Sequence, residues 1–215
     1  MQFELSYGDI FILFFLTLGP LKAILPFARV TRGTDAAFQR RMAWQSTAIA
    51  TAIALVVALL APLVLGNWHV SPPAISITAG IILFSQALRI IMQMPAAASE
   101  SADHQTNPSA PSSAIAVFPL AMPAILTAPG IAAIAVIISL NKHDLASESI
   151  VIALLLGVMV LNLLMLWNTE TFLKHGTAGV LLVVGWVLAV LQASLAMQII
   201  IHALRVLEVL HWPAS

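Results

Sequence analysis

The sequence has little charge and no cysteine. Only 8% of its 215 residues are charged, nine Lys or Arg and nine Asp or Glu, whereas 60% are hydrophobic. Soluble domains carry about a quarter charged residues, so this chain cannot cover its surface with polar groups. The balanced charge points to no nucleic-acid partner, and the absence of cysteine excludes disulfides and thiolate metal sites. The composition therefore defines an integral membrane protein.

Acidic residues are missing from the middle of every long apolar run. Those nearest to the runs lie at their ends, at Glu4, Asp9, Glu148, Glu170 and Glu208. This distribution argues against a carboxylate proton relay inside the membrane. The runs contain no HExxH or GxSxG motif, and the histidines are scattered over loops and run ends. We therefore expect no enzymatic activity, no metal site and no cofactor.

Long apolar runs dominate the rest of the chain. A helix needs about 20 apolar residues to cross the hydrocarbon core of a bilayer. The six runs of this kind lie near 9–28, 42–65, 73–94, 114–139, 148–168 and 177–204. The first run lacks the basic start and the small-residue cleavage site of a signal peptide, so we expect it to be retained. The predicted fold is all-α and polytopic, with six transmembrane helices.

Basic residues indicate how these spans are oriented. Cytoplasmic loops carry an excess of Lys and Arg, and the excess is largest when the first, third and fifth connections are placed inside. The inside set is then Arg29, Arg32, Arg40, Arg41, Arg89 and Lys174. We therefore expect a bacterial inner-membrane protein that contacts membrane lipid and has both termini in the periplasm.

A short segment recurs in the two halves of the chain. ITAGIIL at 77–83 resembles GTAGVLL at 176–182, which is 99 residues further on. Because each half contains three spans, the second half would enter the membrane upside down, as in many secondary transporters. The predicted units are a first three-helix repeat at 1–94, a polar flexible linker at 95–113 and a second three-helix repeat at 114–215.

Prolines interrupt the first and fourth spans at corresponding places. Gly19-Pro20 and Ala128-Pro129 are 109 residues apart, and further prolines lie nearby in both runs. A proline inside a helix removes a donor and costs about 3 kcal/mol, although neighbouring helices can satisfy a simple kink. Two clusters at matching positions favour discontinuous helices near the midplane over kinks.

A half-helix that begins near Pro129 would present backbone N–H groups to a solute. Its partial positive charge suits a carboxylate, with the N–H groups of Gly130 and Ile131 available and Thr127 as the N-cap. We expect a small pocket for a compact solute with an anionic or zwitterionic end. The candidate substrate-binding residues are Gly19, Pro20, Lys22, Ala23, Thr78, Gly80, Pro123, Thr127, Ala128, Pro129, Gly130, Ile131, Thr177 and Gly179.

Lys22 lies within the first predicted span. A lysine inside a membrane helix is by default a functional hypothesis. Two interpretations stay open: the side chain extends to the nearby cytoplasmic interface, or it stays beside the break and attracts a carboxylate.

The segment around the second break resembles a known family. PLAMPAILTAPG at 119–130 is similar to the signature of the MarC family of bacterial inner-membrane proteins, Pro-Leu-Ala-(Ile/Met)-Pro followed by Ala-Gly-Pro-Gly. LGPLKAILPF at 18–27 and TAGIILF at 78–84 resemble the first-helix and third-helix motifs of the family. The resemblance covers the whole chain. It implies a multi-spanning inner-membrane protein with periplasmic termini, related to transporters of small neutral amino acids.

The chain departs from the family pattern beside the prolines. Gly19 stands where the family usually has Asn or Asp, Lys22 where the residue is usually small or neutral, and Ala128 where it has glycine. Two functions therefore remain open. The first is a secondary transporter or exporter of a small neutral solute such as an amino acid. The alternative is a non-transporting scaffold or partner subunit with a vestigial pocket. The sequence is compatible with a homo-oligomer.

Overall fold

The computed structural model describes residues 6–31, 33–97, 121, 125–140, 145–169 and 178–209. All regular structure among these residues is helical, and no described residue belongs to a strand. The helices are α1 (Tyr7–Leu18), α2 (Pro20–Val30), α3 (Ala36–Asn67), α4 (Pro72–Ala97), α5 (Ala128–Leu140), α6 (Leu145–Trp167) and α7 (Ala178–Val206).

Five of the six predicted spans correspond to helices that are long and apolar enough to cross a bilayer. They are Tyr7–Val30, Ala36–Asn67, Pro72–Met92, Ala146–Trp167 and Val183–Val206. The fourth predicted span is represented by the shorter apolar helix at Ala128–Ser139, and most of its first half lies outside the described residues. The predicted linker at 95–113 also lies outside them from residue 98 onward, since α4 ends at Ala97. The chain is a multi-pass, all-helical membrane protein.

The first helix begins at a capping box formed by Ser6 and Asp9. The Gly8 N–H donates to Ser6 Oγ at 3.4 Å, and the Ser6 N–H donates to Asp9 Oδ2 at 3.1 Å. These bonds satisfy N–H groups that a helix start otherwise leaves unpaired.

The broken first span lies at the centre of the helix packing. In its most apolar stretch 67% of residues are buried, against 17% to 33% in the other four spans. α1 packs on α5, α6 and α7, whereas α2 packs on α6. The fully buried Phe14, Leu18 and Phe27 belong to this span. The outer helices expose apolar side chains such as Leu59, Leu63 and Val187, which suits contact with lipid tails.

α1 and α6 run in the same direction, and both lead toward a charged end of the molecule. The hydroxyls of Tyr7 and Ser147 are hydrogen-bonded at 3.3 Å near the starts of these helices. At the opposite end of the molecule, the Arg40 guanidinium lies 5.8 Å from the ring centroid of Trp167. The start of α3 and the end of α6 therefore lie at the same side of the molecule.

α4 and α7 form a close antiparallel pair. Gly80 faces α7, where an added Cβ would lie 3.0 Å from the carbonyl oxygen of Ala196. Further along α4, Gln192 of α7 donates from Nε2 to the Leu83 carbonyl at 3.0 Å. Small residues allow membrane helices to approach in this way, and buried amides hold them together.

Candidate functional site

The first break interrupts the helix at a single residue. Gly19 is extended, with φ −68° and ψ 160°, between the last residue of α1 and the first of α2. A Cβ at Gly19 would overlap the carbonyl oxygen of Phe15, so only glycine fits here without a shift of the chain. Pro20 follows at the first helical position, where its missing N–H removes no bond. The first span is therefore discontinuous, as predicted, rather than kinked.

The second break is a wider irregularity before α5. The Leu126 N–H donates to the Ala121 carbonyl at 3.0 Å, five residues back, which is the spacing of a π-type turn and is frequent at functional sites. The chain then leaves helical geometry at Thr127, and α5 starts at Ala128. Pro123 lies outside the described residues.

Thr127 caps α5, as the sequence predicted. Its Oγ1 accepts a hydrogen bond from the Gly130 N–H at 3.1 Å, and its carbonyl accepts one from the Ile131 N–H at 3.0 Å. The prediction that these two N–H groups would be available to a solute is wrong. The cap itself occupies both donors, because the N-cap residue lies one turn before them.

The two breaks touch each other. The Thr127 hydroxyl donates to the Thr17 carbonyl at 3.1 Å, near the end of α1. Leu18 packs so closely on Gly130 that a Cβ at Gly130 would overlap the leucine side chain. Residues separated by 110 positions thus come together at the middle of the fold.

Asn162 on α6 completes the contact and was missed by the sequence reasoning. The side chain is 0% exposed, and its Nδ2 donates to the Leu18 carbonyl at 2.7 Å and to the Val158 carbonyl at 3.2 Å. Its Oδ1 has no hydrogen-bond partner among the described residues. The available signal was one amide in the otherwise apolar run LLLGVMVLNLLMLW.

Lys22 lies in the first turn of α2, and its ammonium group is inside the protein. The Nζ atom exposes less than 1 Å² and finds no hydrogen-bond partner in the described part of the chain. Of the two interpretations left open, extension to the interface does not fit this position. Ala23, the next residue, is also buried at 1% exposure.

The start of α2 differs from the start of α5. No side chain caps α2 among the described residues, and its N-cap is Gly19. The first N–H groups of a helix have no intrahelical acceptor, and Pro20 has no N–H. The backbone N–H groups of Leu21 and Lys22 are therefore the donors that have no acceptor within this helix.

The remaining predicted residues lie elsewhere or outside the described part. Thr78 is exposed, and its hydroxyl donates to the Ala74 carbonyl at 2.9 Å. Gly80 lies at the contact of α4 with α7. Gly179 belongs to the first turn of α7, and Thr177 lies outside the described residues. The structure thus brings the two breaks together through contacts of Thr17 and Leu18 with the predicted residues Thr127 and Gly130. The predicted residues Thr78 and Gly80 of the third helix lie elsewhere.

Four further buried polar atoms lack a partner among the described residues. They are Gln45 Oε1 and Thr47 Oγ1 on α3, Gln86 Oε1 on α4 and Ser139 Oγ on α5. In the same part of the chain no group of His, Asp and Glu has the arrangement of a metal site. Among the described residues, the polar interior consists of amides, hydroxyls and the lysine at position 22.

A chain of apolar helices with a broken, central first span defines a polytopic integral membrane protein. Comparison with known protein families matches residues 5–207 to the MarC family integral membrane proteins. The match spans nearly the whole sequence, so the chain belongs to the MarC family. Comparisons with curated protein sequences and with solved structures gave no significant match.

Proposed function

We propose that this protein is a secondary transporter or exporter of a small neutral solute, such as an amino acid. The observation that carries the proposal is that the two helix breaks touch each other, through the Thr127–Thr17 hydrogen bond and the packing of Leu18 on Gly130. Discontinuous helices that meet near the midplane are the usual solute site of secondary transporters. The proposed role is transport without catalysis.

Unpaired polar groups at the breaks support a ligand. The Asn162 Oδ1 and Lys22 Nζ atoms are buried and unpartnered in the described part of the chain. Leaving one buried polar group unsatisfied costs about 1–3 kcal/mol, and more when it is charged. A solute that makes these bonds would offset the cost, which gives it a binding free energy without any apolar contact.

We also propose that the two halves are related as inverted repeats. The antiparallel pairing of α4 with α7 is what such a two-fold relation requires. The 99-residue offset of the third helices supplies a second support. Subtracting this offset from the number of Gln192 and adding it to that of Leu83 gives Gln93 and Leu182. The sequence therefore carries a glutamine at the position equivalent to the buried amide.

We place the protein in a bacterial inner membrane, with both termini in the periplasm. Arg29, Arg40 and Arg41 are exposed around the first connection, as expected for a cytoplasmic loop. The cysteine-free chain allows a direct test with single cysteines and a membrane-impermeant maleimide. Asn67→Cys should react in intact cells, whereas Asp35→Cys should react only after permeabilisation. The reverse pattern would overturn the orientation.

Transport itself is tested with purified protein in liposomes. We expect labelled glycine or alanine to exchange with unlabelled solute inside the vesicles. Asn162→Leu should reduce this exchange because it removes the amide at the break. Asn168→Leu is the matched control, since this amide is exposed directly after the end of the same helix and its loss should leave exchange unchanged. No movement of any solute in a broad panel would refute transport.

A specific observation also favours the second candidate, a non-transporting scaffold or partner subunit. At the second break the cap and the Leu18 side chain fill the space and occupy the donors. A vestigial pocket would have this appearance. Stable co-purification of a partner protein, combined with no binding of any solute, would support the scaffold over the transporter.

A further inference from the structure

The two breaks differ in which of their donors and acceptors have no hydrogen-bond partner. At the end of α1, the carbonyls of Thr17 and Leu18 accept from the side chains of Thr127 and Asn162. At the start of α5, the N–H groups of Gly130 and Ile131 are bonded to Thr127. Among the described residues of the two breaks, the buried side-chain atoms without a partner are Lys22 Nζ and Asn162 Oδ1. Both lie at the first break.

The groups left over are mostly donors. They are the backbone N–H groups of Leu21 and Lys22 and the Lys22 ammonium. Side chains in a helix point back toward its N-terminus, so a lysine in the first turn directs its chain toward the break. The burial of Nζ fits that direction. The N-terminal end of α2 adds partial positive charge in the same place.

One unpartnered acceptor lies at the same break. Asn162 donates through Nδ2 to the Leu18 carbonyl, so its amide group lies at the edge of the break. Because Oδ1 belongs to the same amide, it lies there too, and it is fully buried without a partner in the described chain. An acceptor of this kind binds an amino or hydroxyl group.

No acidic side chain in the described residues neutralises Lys22. The described Asp and Glu residues all lie at helix ends, at Asp9, Asp35, Glu148 and Glu208. A buried charge is tolerated when it is paired, and the carboxylate of a bound solute would supply the counter-charge that the described residues lack.

We propose that the solute binds at the first break alone, with its carboxylate on the Lys22 ammonium and the free N–H groups of α2. Asn162 Oδ1 accepts a hydrogen bond from the donor group of the same solute. The second break is a brace that holds the end of α1 through Thr127 and Leu18. This inference rests on the proposed transport function and assigns its carboxylate subsite to one lysine.

The test measures binding of three matched probes to purified protein in chloride-free buffer. Glycine carries both groups, glycinamide lacks the carboxylate, and propionate lacks the amine. We expect wild-type protein to bind glycine about tenfold to a hundredfold more tightly than glycinamide, as for a charge-assisted hydrogen bond. Lys22→Gln should remove that preference. Arg29→Gln is the matched control, because Arg29 is exposed on the same helix.

Two further variants separate the roles of the breaks. Asn162→Leu should weaken binding of glycine but not of propionate, since only glycine has the donor for Oδ1. Thr127→Val should lower thermal stability while the glycine dissociation constant stays within about twofold of wild type. A large loss of glycine affinity in Thr127→Val would place the second break in the site and overturn the proposal.

The outcomes distinguish failure of this inference from failure of the proposed transport function. If wild-type protein binds glycine and glycinamide equally, or if Lys22→Gln keeps the preference, the lysine assignment is wrong and transport stands. If added chloride binds to wild-type protein and none of the carboxylate probes does, the site holds an inorganic anion and the inference fails. If wild-type protein neither binds nor moves any probe, the transport function and the inference fail together.

Discussion

Replacing Lys22 by methionine should stabilise the protein when no solute is bound. The ammonium is buried, with less than 1 Å² of Nζ exposed, and has no hydrogen-bond partner among the described residues. Methionine has similar length and no charge, so it removes the unpaired group without opening a large cavity. A buried polar group without a partner costs about 1–3 kcal/mol, and the substitution should recover that amount.

The expected change is large enough for a melting experiment. In a chain of this size, 1 kcal/mol shifts the melting temperature by roughly 2–4 °C, so Lys22→Met should melt roughly 2–12 °C higher. Arg29→Met is the control, because this exposed cation on the same helix should change stability by less than about 0.5 kcal/mol.

Solute should narrow the stability difference between the two proteins, and should reverse it if the substitution recovers less than about 2.7 kcal/mol. A ligand at a hundred times its dissociation constant stabilises a folded protein by about 2.7 kcal/mol. Wild-type protein should gain this stabilisation from glycine, whereas Lys22→Met should gain much less. A fall in the melting temperature of solute-free Lys22→Met would refute the reasoning, because it would mean that Lys22 makes a stabilising contact.

The remaining predictions concern the contact between the breaks. Thr127→Val should lose about 1–2 kcal/mol of stability because it removes the cap, and Thr127→Ser should retain most of it in the same chemical-denaturation assay. Gly130→Ala should cost about 1–3 kcal/mol, since the new methyl group meets Leu18, and Leu18→Ala in the same chain should recover part of the loss. Gly157→Ala is the control, because nothing lies within 4 Å of its added Cβ; equal losses at the two glycines would contradict the packing argument.

The predictions that succeeded from sequence rest on local signals. Apolar run length is enough to find the membrane helices, since each helix must cross the same hydrocarbon thickness. Glycine and proline act through their own backbone, so Gly19-Pro20 and the Thr127 cap could be located without knowledge of the rest of the fold. The prediction of free Gly130 and Ile131 donors failed because it counted donors at α5 without counting the acceptors of its own cap.

Asn162 shows where local reasoning ended. It is an ordinary polar residue in an apolar run, and the neighbouring sequence does not indicate that its side chain bonds to Leu18, 144 residues away. The same holds for Gly80, which was expected at the solute site and packs instead on α7. Contacts between distant helices depend on rotation and depth, which apolar patterns in membrane helices constrain only weakly.

The sequence by itself determined that this protein spans a membrane several times, that its first helix is broken and that Thr127 starts a new half-helix. These follow from composition, run length and backbone chemistry, all of which act within a few residues. Only the tertiary structure decided which groups at the breaks remain unpaired. Hydrogen-bond partners of Thr17, Leu18 and Asn162 come from distant helices, and burial of Lys22 depends on the helices around it. Among the described residues, buried side-chain atoms without a partner lie at the first break and not at the second. This difference is therefore a property of the assembled fold.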